Sequence, residues 1–275
     1  MAGKRNYRQE MEKILESLAA PDASNAISAQ NAGAEGSAPT ASSSSAPATN
    51  SFAAPENKGF AQNAAPQKPT LLLHACCGPC SSYCIETLVP YFDITIYYYN
   101  PNISPQQEYD RRLSELAKFL ARFPDAISGG VKLVEAKYDP EDFYTATNVR
   151  NEPELANEPE RGERCRRCYS LRMSKSYEYA CANGFDWFTT TLSISPHKDA
   201  EKINVIGFAL EESRKEAVPT QGADTSSHAD MQKITRFLPS DFKKKNGFLR
   251  STQITEEYGM WRQDYCGCIY SMRQE

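Results

Sequence analysis

Strand-like and helix-like patterns alternate along the chain from residue 69 onward. Short apolar runs predict buried strands at 70–77, 93–100, 131–139 and 185–193. Helical patterns follow these strands, at 81–92, 105–123, 139–147, 165–184 and 196–214. Strands that alternate with helices form βα units, whose crossover helices cover a parallel sheet. The sequence therefore predicts an α/β fold, with a parallel sheet and helices on both of its faces.

The N-terminal part of the chain differs in composition from the rest. Residues 4–20 have apolar side chains at helical spacing, which predicts a short amphipathic helix. A helix that docks on the main domain or is only partly formed is a better expectation than a dedicated partner-binding helix. Residues 21–68 are rich in Ala, Ser, Asn and Pro and bury too little apolar surface to offset their ordering entropy. We therefore expect an extension at 1–68, made of a helix and a disordered low-complexity linker, and one α/β domain at 69–275. Within that domain the polar stretch 214–235 is expected to be an insertion or a flap.

Composition and charge argue against several classes of protein. No run of about 18 apolar residues exists, so no membrane span is expected, and the charged N-terminus does not resemble a secretory signal. The net charge of −4 gives no reason to expect non-specific binding to nucleic acid. A cytoplasmic location is the expectation. Thiols stay reduced there, which favours metal-binding or catalytic cysteines over structural disulfides.

Nine cysteines fall almost entirely into three groups that are far apart in the chain. The groups are Cys76, Cys77, Cys80 and Cys84 in HACCGPCSSYC, Cys165 and Cys168 in ERCRRC, and Cys266 and Cys268 in YCGC, with Cys181 apart. Open parallel sheets bind ligands beyond the carboxyl ends of their strands, where the first group begins. The second group opens a helix, whose positive end favours thiolate over thiol. A fold can bring such groups together as a metal or redox centre.

Two of the groups are simple pairs whose spacing limits what they can bind. Three-residue spacing on a helix puts Cys165 and Cys168 on one face, within reach of a single metal or cluster. A disulfide between Cys266 and Cys268 would be strained and readily reduced. This second pair therefore suits redox cycling or metal binding more than stability.

The HACCGPC motif has more than one interpretation. Neighbouring residues in a strand point to opposite faces, so Cys76 and Cys77 can serve one centre only if the chain turns at once. The Gly-Pro at 78–79 supplies such a turn. CGPC at 77–80 also spells a thioredoxin-like redox motif, and paired CxxC motifs suit a structural zinc. Three cysteine groups, however, hold more sulfur than one zinc can bind.

Three further features carry weaker signals. His74 ends the first predicted strand, and a hydrogen-bonded core histidine is a better expectation there than a ligand or proton donor. His197 stands beside Lys198 at a predicted helix start, where capping and anion binding are both open. DFKKKNGFLRS at 241–251 has the character of a solvated charged face, or of a phosphate contact if the substrate is RNA.

With these residues in view, the chain resembles the QueH family of epoxyqueuosine reductases over about residues 70–270. The resemblance rests on several motifs in order: LLLHACCGPCSSY, YYYNPNISPQQEYDRR, ERCRRCYSLRM, TTTLSISPHKDAEKIN, DFKKKNGFLRS and RQDYCGCIYS. It implies a fold similar to the nucleotide α-hydrolase-like (HUP) class. It also implies reduction of the epoxide of epoxyqueuosine to the alkene, at the wobble position of tRNA, as the last step of queuosine biosynthesis.

The resemblance also implies a cofactor and its ligands. A [4Fe–4S] cluster would be held by Cys76, Cys77, Cys165 and Cys168 of the catalytic iron-sulfur domain. Cys266 and Cys268 match a pair that is redox-active or that holds an additional mononuclear iron. Cys80 is a candidate ligand of that second site, and Cys84 and Cys181 are expected to be core thiols. The expected partners are tRNA carrying epoxyqueuosine and an electron donor whose identity the sequence does not give, with no membrane.

Two other classes of function stay open at this point. A tRNA thiolase of the same fold would also carry an iron-sulfur cluster, but it would have a Gly-rich SGGxDS-type phosphate loop where this chain has CCGPCSS. A zinc-binding module that contacts RNA, or a thioredoxin-like protein, would use the same cysteines without a cluster.

Overall fold

The computed structural model describes residues 5–19, 68–217 and 233–272. The helices are α1 Tyr7–Ala19, α2 Gly78–Leu88, α3 Gln106–Leu120, α4 Pro124–Ser128, α5 Pro140–Thr147, α6 Glu163–Ala182, α7 Ala200–Ala217 and α8 Gly247–Glu257. The strands are β1 Thr70–His74, β2 Asp93–Tyr98, β3 Lys132–Glu135, β4 Trp187–Thr190 and β5 Arg236–Phe237. Short 3-10 turns lie at Pro153–Asn157, Thr191–Ile194 and Ile269–Ser271. The predicted linker, apart from Lys68, and most of the predicted insertion lie outside the described residues.

The strands form one parallel sheet in the order β3-β2-β1-β4-β5. The chain builds outward from β1 in one direction through β2 and β3, and then returns to the other side of β1 with β4. This order is that of doubly wound sheets, in which the ligand crevice opens between the two strands where the direction reverses. The predicted parallel α/β fold is confirmed, and the finer assignment to the nucleotide α-hydrolase-like class stays a prediction.

Successive residues of β1 show that both faces of the sheet are covered. Leu71 and Leu73 pack in a core with residues of α1, α2, α3 and α8. Leu72 points the other way, into a second core with residues of α6 and α7. All three leucines are fully buried. An uninterrupted apolar run is the expected signature of such a strand, because neither of its faces meets water.

Helix α1 docks on the α/β domain. Its buried side chains Met11 and Leu15 belong to the core on the α2 side of the sheet. The Tyr7 hydroxyl donates a hydrogen bond to Glu201 Oε1 on α7, at 2.7 Å. Each fully buried apolar side chain of this kind contributes about 1.5–3 kcal/mol. The helix is therefore part of the domain's packing.

The structure differs from the sequence prediction at the ends of elements. β1 stops at His74, so Cys76 and Cys77 lie beyond the strand, and α2 begins at Gly78. β5 has two residues, too few to show a period, and α8 begins at Gly247, directly after the lysine run of the charged 241–251 segment. β5 nevertheless forms one edge of the sheet, and α8 packs against α2.

Candidate metal centre

Three cysteine sulfurs come together where β1 passes into α2. Cys77 is extended, with φ −173° and ψ 163°, and the helix begins at the next residue with a proline in its first turn. Proline suits that position because its nitrogen has no hydrogen to leave unpaired. Cys76 Sγ lies 3.9 Å from Cys77 Sγ, and the sulfurs of Cys76, Cys77 and Cys80 all lie within 4.8 Å of one another. The expected turn after Cys77 is present, and it turns both adjacent thiols toward one point.

Hydrogen bonds among the three thiols give them different pKa values. Contacts with Cys77 and Cys80 lower the pKa of Cys76 well below its ordinary value. The same contact with Cys76, together with burial, raises the pKa of Cys77 and that of Cys80. One thiolate is therefore favoured in the group without metal, and a metal must displace the remaining protons.

Buried cations surround the thiols. Arg172 on α6 and Lys198 before α7 are both buried, and within the described residues neither pairs with a carboxylate. Burial opposes the charge of Lys198, but Cys266, Cys76 and Cys80 outweigh it and raise its pKa. A buried cation without an anion is costly. The cysteine group is therefore the anionic partner that these side chains require.

The C-terminal segment covers the cysteine group. Gln263 donates a hydrogen bond from its Nε2 to Cys77 Sγ at 3.0 Å. Its Oε1 is buried and has no hydrogen-bond partner among the described residues. Sequence reasoning missed Gln263, although it stands in the RQDYCGC motif, three residues before Cys266.

Arg112 fixes the loop that carries Cys266 and Cys268. Its guanidinium donates to the carbonyl oxygens of Tyr265 and Cys266, both at 3.1 Å. The Ser104 backbone N–H donates to the Gly267 carbonyl oxygen at 2.9 Å. Arg112 is itself buried and paired with Glu108 at 2.7 Å. Arg112 of α3 and the Ser104 backbone N–H, which follows β2, therefore hold this loop together. We call these two contacts the loop clamp.

The remaining predicted site cysteines do not belong to the group of three sulfurs that lie within 4.8 Å of one another. Cys165 packs against the apolar cluster that contains Cys76 and Cys77. Cys168 packs with Cys268 and Phe143 in a smaller cluster, and burial raises its pKa to about 12. Burial also raises the pKa of Cys268. Cys80, rather than Cys165 or Cys168, is therefore the cysteine whose sulfur groups with those of Cys76 and Cys77.

Two cysteines stand away from the group as expected. Cys84 is fully buried in the core around α2. Cys181 is half-buried and packs against the other core, near the end of α6. Neither lines the cavity above the thiols.

A cavity of about 420 Å³ opens above the thiols. Its size is typical of sites for small organic groups, and such sites combine apolar walls with a few placed polar groups. Cys76 and Cys80 line it from below, and Cys266, Gln263 and Lys198 line it from other sides. Ligand access and sulfur chemistry therefore meet in one place.

The two histidines resolve differently. His74 is fully buried, with Nδ1 2.8 Å from Thr190 Oγ1 and Nε2 3.1 Å from the Tyr99 carbonyl oxygen. Burial, with Arg172 nearby, lowers its pKa to about 3, so the expected core histidine is confirmed. His197 does not cap α7; Asp199 does, through its Oδ1 contacts with the backbone N–H groups of the first turn.

The donor set fits a thiolate-bound metal or cluster. Buried sulfur donors select soft metals and iron-sulfur clusters, and the buried cations offset the negative charge that thiolates bring. Arg172 could have been found from the sequence, because it follows Cys168 by four residues and so shares its helix face. Arg112 had no comparable signal, since its role depends on a loop far along the chain.

Comparison with known proteins decides the family. The family described as "Epoxyqueuosine reductase QueH" matches residues 71–274. This chain belongs to the QueH family. A curated relative named epoxyqueuosine reductase QueH, from Streptococcus pyogenes serotype M1, is 39% identical over 76% of this chain and 72% of its own length. Those from Staphylococcus aureus (strain Mu50) and Thermotoga maritima are 37% and 30% identical, over 76% and 74% of this chain and 78% and 90% of their own lengths.

The QueH match begins within β1 and ends beyond the CGC loop, so it includes every cysteine of the site. Helix α1 lies outside it. The names of these relatives favour the reductase interpretation over the thiolase, thioredoxin-like and zinc-module alternatives. In the described part of the chain, no helix has the length and apolar character that crossing a membrane requires.

Proposed function

We propose that this QueH-family chain reduces the cyclopentane epoxide of epoxyqueuosine to the alkene of queuosine, in tRNA, as the last step of queuosine biosynthesis. The family match and the names of the relatives support this reaction. The enzyme would act in the cytoplasm on a whole tRNA, with electrons from a separate donor.

One observation of the structure supports redox chemistry in particular. Three sulfurs lie within 4.8 Å of one another at the mouth of the doubly wound sheet. The buried cations Arg172 and Lys198 lie beside them and find no carboxylate among the described residues. This is a pocket built to hold concentrated negative charge on sulfur.

We further propose that Cys76, Cys77, Cys165 and Cys168 hold a [4Fe–4S] cluster. Such a cluster would supply single electrons to the epoxide carbon. Cys80, which lies against the adjacent pair, would ligate an additional mononuclear iron together with the Cys266 and Cys268 pair, or that pair would act as a dithiol. Cys76, Cys77, Cys168 and Cys268 are buried, whereas Cys80, Cys165 and Cys266 are partly exposed.

The chain's own residues would handle charge and protons. Removing the epoxide oxygen as water requires two electrons and two protons. A Cys266–Cys268 dithiol that closes to a disulfide releases two of each, so the reaction balances if the donor later reduces the pair. Lys198 lines the cavity, and its ammonium would stabilise the charge that develops on the departing oxygen. The residues above the thiols would orient the cyclopentane group.

Metal analysis tests the proposal directly. Protein purified without oxygen should contain iron and acid-labile sulfide, and absorb broadly near the violet end of the spectrum. Ala variants at Cys76, Cys77, Cys165 or Cys168 should each lose sulfide and epoxide reduction. Cys181→Ala is the matched control, because this thiol lies away from the site, and it should keep both. Protein that holds zinc alone, with no sulfide, would refute the cluster.

A further inference from the structure

A second cavity, of about 660 Å³, lies between α1 and the turn at 241–247. Seven cationic side chains and three carboxylates line it. The cations are Arg5, Arg8, Arg161, Lys198, Lys243, Lys244 and Lys245, and the carboxylates are Asp199, Glu201 and Asp241. The chain as a whole carries a net charge of −4. Positive charge is therefore concentrated in this cavity, although the chain as a whole is negatively charged.

Ion pairing leaves part of this charge free. Lys243 pairs with Asp241 at 2.9 Å, and Lys245 pairs with Glu12 of α1 at 2.7 Å. Arg5 pairs with Glu10 at 2.6 Å, and Arg8 pairs with Glu12 at 2.8 Å. Lys244 is exposed, and no carboxylate of the described residues pairs with it. Arg161 is also exposed, and its guanidinium donates to the Pro196 carbonyl oxygen rather than to an acid. Two unneutralised cations therefore face solvent along one groove.

The groove adjoins the cysteine cavity. Lys198 lines both of them, and Pro196, which Arg161 contacts, lines the cavity above the thiols. A chain lying in the groove would therefore pass directly to the mouth of the site. A ligand with regularly repeated negative charges could place one unit in the site and the next units against the cations.

The turn that presents the lysines is conformationally unusual. Lys245 and Asn246 both have positive φ, 51° and 63°, a region that side-chain-bearing residues seldom adopt. The pairing of Lys245 with Glu12 ties this turn to α1. Arg8 of α1 reaches the other way, donating to the Tyr83 hydroxyl on α2 at 3.2 Å. Helix and turn thus form one wall, although α1 lies outside the QueH match.

We propose that the groove between α1 and the turn at 241–247 binds phosphate through Lys244 and Arg161, and so holds the tRNA strand that enters the cysteine cavity. This inference rests on the proposed function, since it takes the substrate to be a tRNA. Cations that contact phosphate give affinity and position without reading sequence. The N-terminal helix of this chain borders the groove and fixes its lysine turn through the pairing of Glu12 with Lys245.

Salt-dependent binding tests the groove. The probe is an unmodified tRNA transcript with a queuosine-type anticodon, its affinity for the full chain measured by fluorescence anisotropy at several salt concentrations. Lys244→Gln and Arg161→Gln should each weaken binding several-fold and reduce the slope of log K against log salt by about one. The double variant should reduce the slope by about two. Lys132→Gln is the matched control, because Lys132 is exposed on β3, where that strand begins; it should leave both quantities unchanged.

The outcomes separate the groove from the proposed function. Unchanged affinity and slope in both variants, with wild-type protein still reducing the epoxide, would refute the binding of tRNA phosphate in the groove. The groove cations would then serve another anionic partner, such as an acidic redox protein. Altered slopes with no epoxide reduction by the wild-type protein would support the groove and refute the reaction. Thermal melts of each variant exclude unfolding, since both side chains are exposed.

Discussion

Arg112 donates a hydrogen bond from its guanidinium to the carbonyl oxygen of Cys266, 3.1 Å away. The bond joins α3, which follows β2, to a loop more than a hundred residues later. It sets the position of the CGC loop over the cavity without occupying either thiol. The placement of the Cys266 and Cys268 pair thus depends on a buried cation outside the cysteine motifs.

Replacing Arg112 should uncouple the loop from the site. Arg112→Gln removes both carbonyl contacts and leaves the partly buried Glu108 without its partner, at a cost of about 2 kcal/mol in the free energy of unfolding. Epoxide reduction should fall by at least about tenfold, while iron content stays near that of the wild type. Arg111→Gln is the control, because Arg111 is exposed and stacks on Trp261 at 3.8 Å. Denaturant titration measures the stability of the two variants, and metal analysis measures their iron content. Full activity in the Arg112 variant would contradict a role of the loop clamp in epoxide reduction.

Gly267 should tolerate no side chain. Its φ is +125°, and an added Cβ would lie 3.0 Å from Ile103 and 3.1 Å from Arg112. Gly267→Ala should therefore displace the loop and reduce turnover more than stability. Gly259→Ala has a positive φ of 57° but open space around the Cβ position, so it should cost backbone strain of about 1 kcal/mol and leave turnover unchanged. Equal activities of the two variants would argue against a packed loop.

Gln263 should tune the reduction potential of a bound cluster. Its amide donates to Cys77 Sγ at 3.0 Å, and hydrogen bonds to ligand sulfur stabilise the reduced state. Gln263→Ala should therefore lower the potential measured by spectroelectrochemistry. Gln253→Ala, on the exposed side of α8, should leave it unchanged. A potential that does not move would show that Cys77 is not a ligand or that the bond is lost on metal binding.

Asp186 should make the fold sensitive to acid. Its Oδ2 accepts hydrogen bonds from the backbone N–H and the hydroxyl of Thr70, at 2.9 and 2.8 Å. Burial opposes its ionisation, but Lys233 and the Thr70 donors outweigh burial and lower its pKa. The carboxylate therefore stabilises the fold above the ordinary Asp pKa of about 3.9. That stability is lost as the pH falls through the lowered value.

Substitution separates this effect from general acid unfolding. Asp186→Ala should lower the free energy of unfolding at neutral pH by about 1–2 kcal/mol, and its stability should change less with pH below about 4. Asp93→Ala, exposed at the start of β2, should show neither change. Chemical denaturation at several pH values provides the measurement. A parallel loss of stability with pH in the two variants would contradict the assigned role.

The sequence predicted the sheet because its buried strands are short, apolar and separated by strongly periodic helices. It failed at β5, where two residues carry no period, and at α8, where the lysine run masks the amphipathic pattern that follows. The turn between β1 and α2 could be predicted from the Gly-Pro pair. This turn explains why the sulfurs of Cys76 and Cys77 lie close together.

The surroundings of the thiols were harder to predict. Cys165 and Cys168 could be placed on one helix face from spacing alone, but spacing gives no distance to Cys76. The sequence does not fix the role of Cys80, whose sulfur lies within 4.8 Å of those of Cys76 and Cys77. Lys198 and Arg112 act through burial, which depends on how distant segments pack and leaves no local pattern. Charge compensation around a site is therefore a property of tertiary structure that a single sequence shows poorly.

The most direct test of the central claim is the mass of the modified nucleoside after reaction. Protein purified without oxygen is incubated with tRNA carrying epoxyqueuosine and a chemical reductant, and the tRNA is digested to nucleosides for mass spectrometry. The account predicts loss of one oxygen atom, from epoxyqueuosine to queuosine, by the wild type and by Cys181→Ala but not by Cys76→Ala. Iron- and sulfide-loaded protein that leaves epoxyqueuosine unchanged would contradict it.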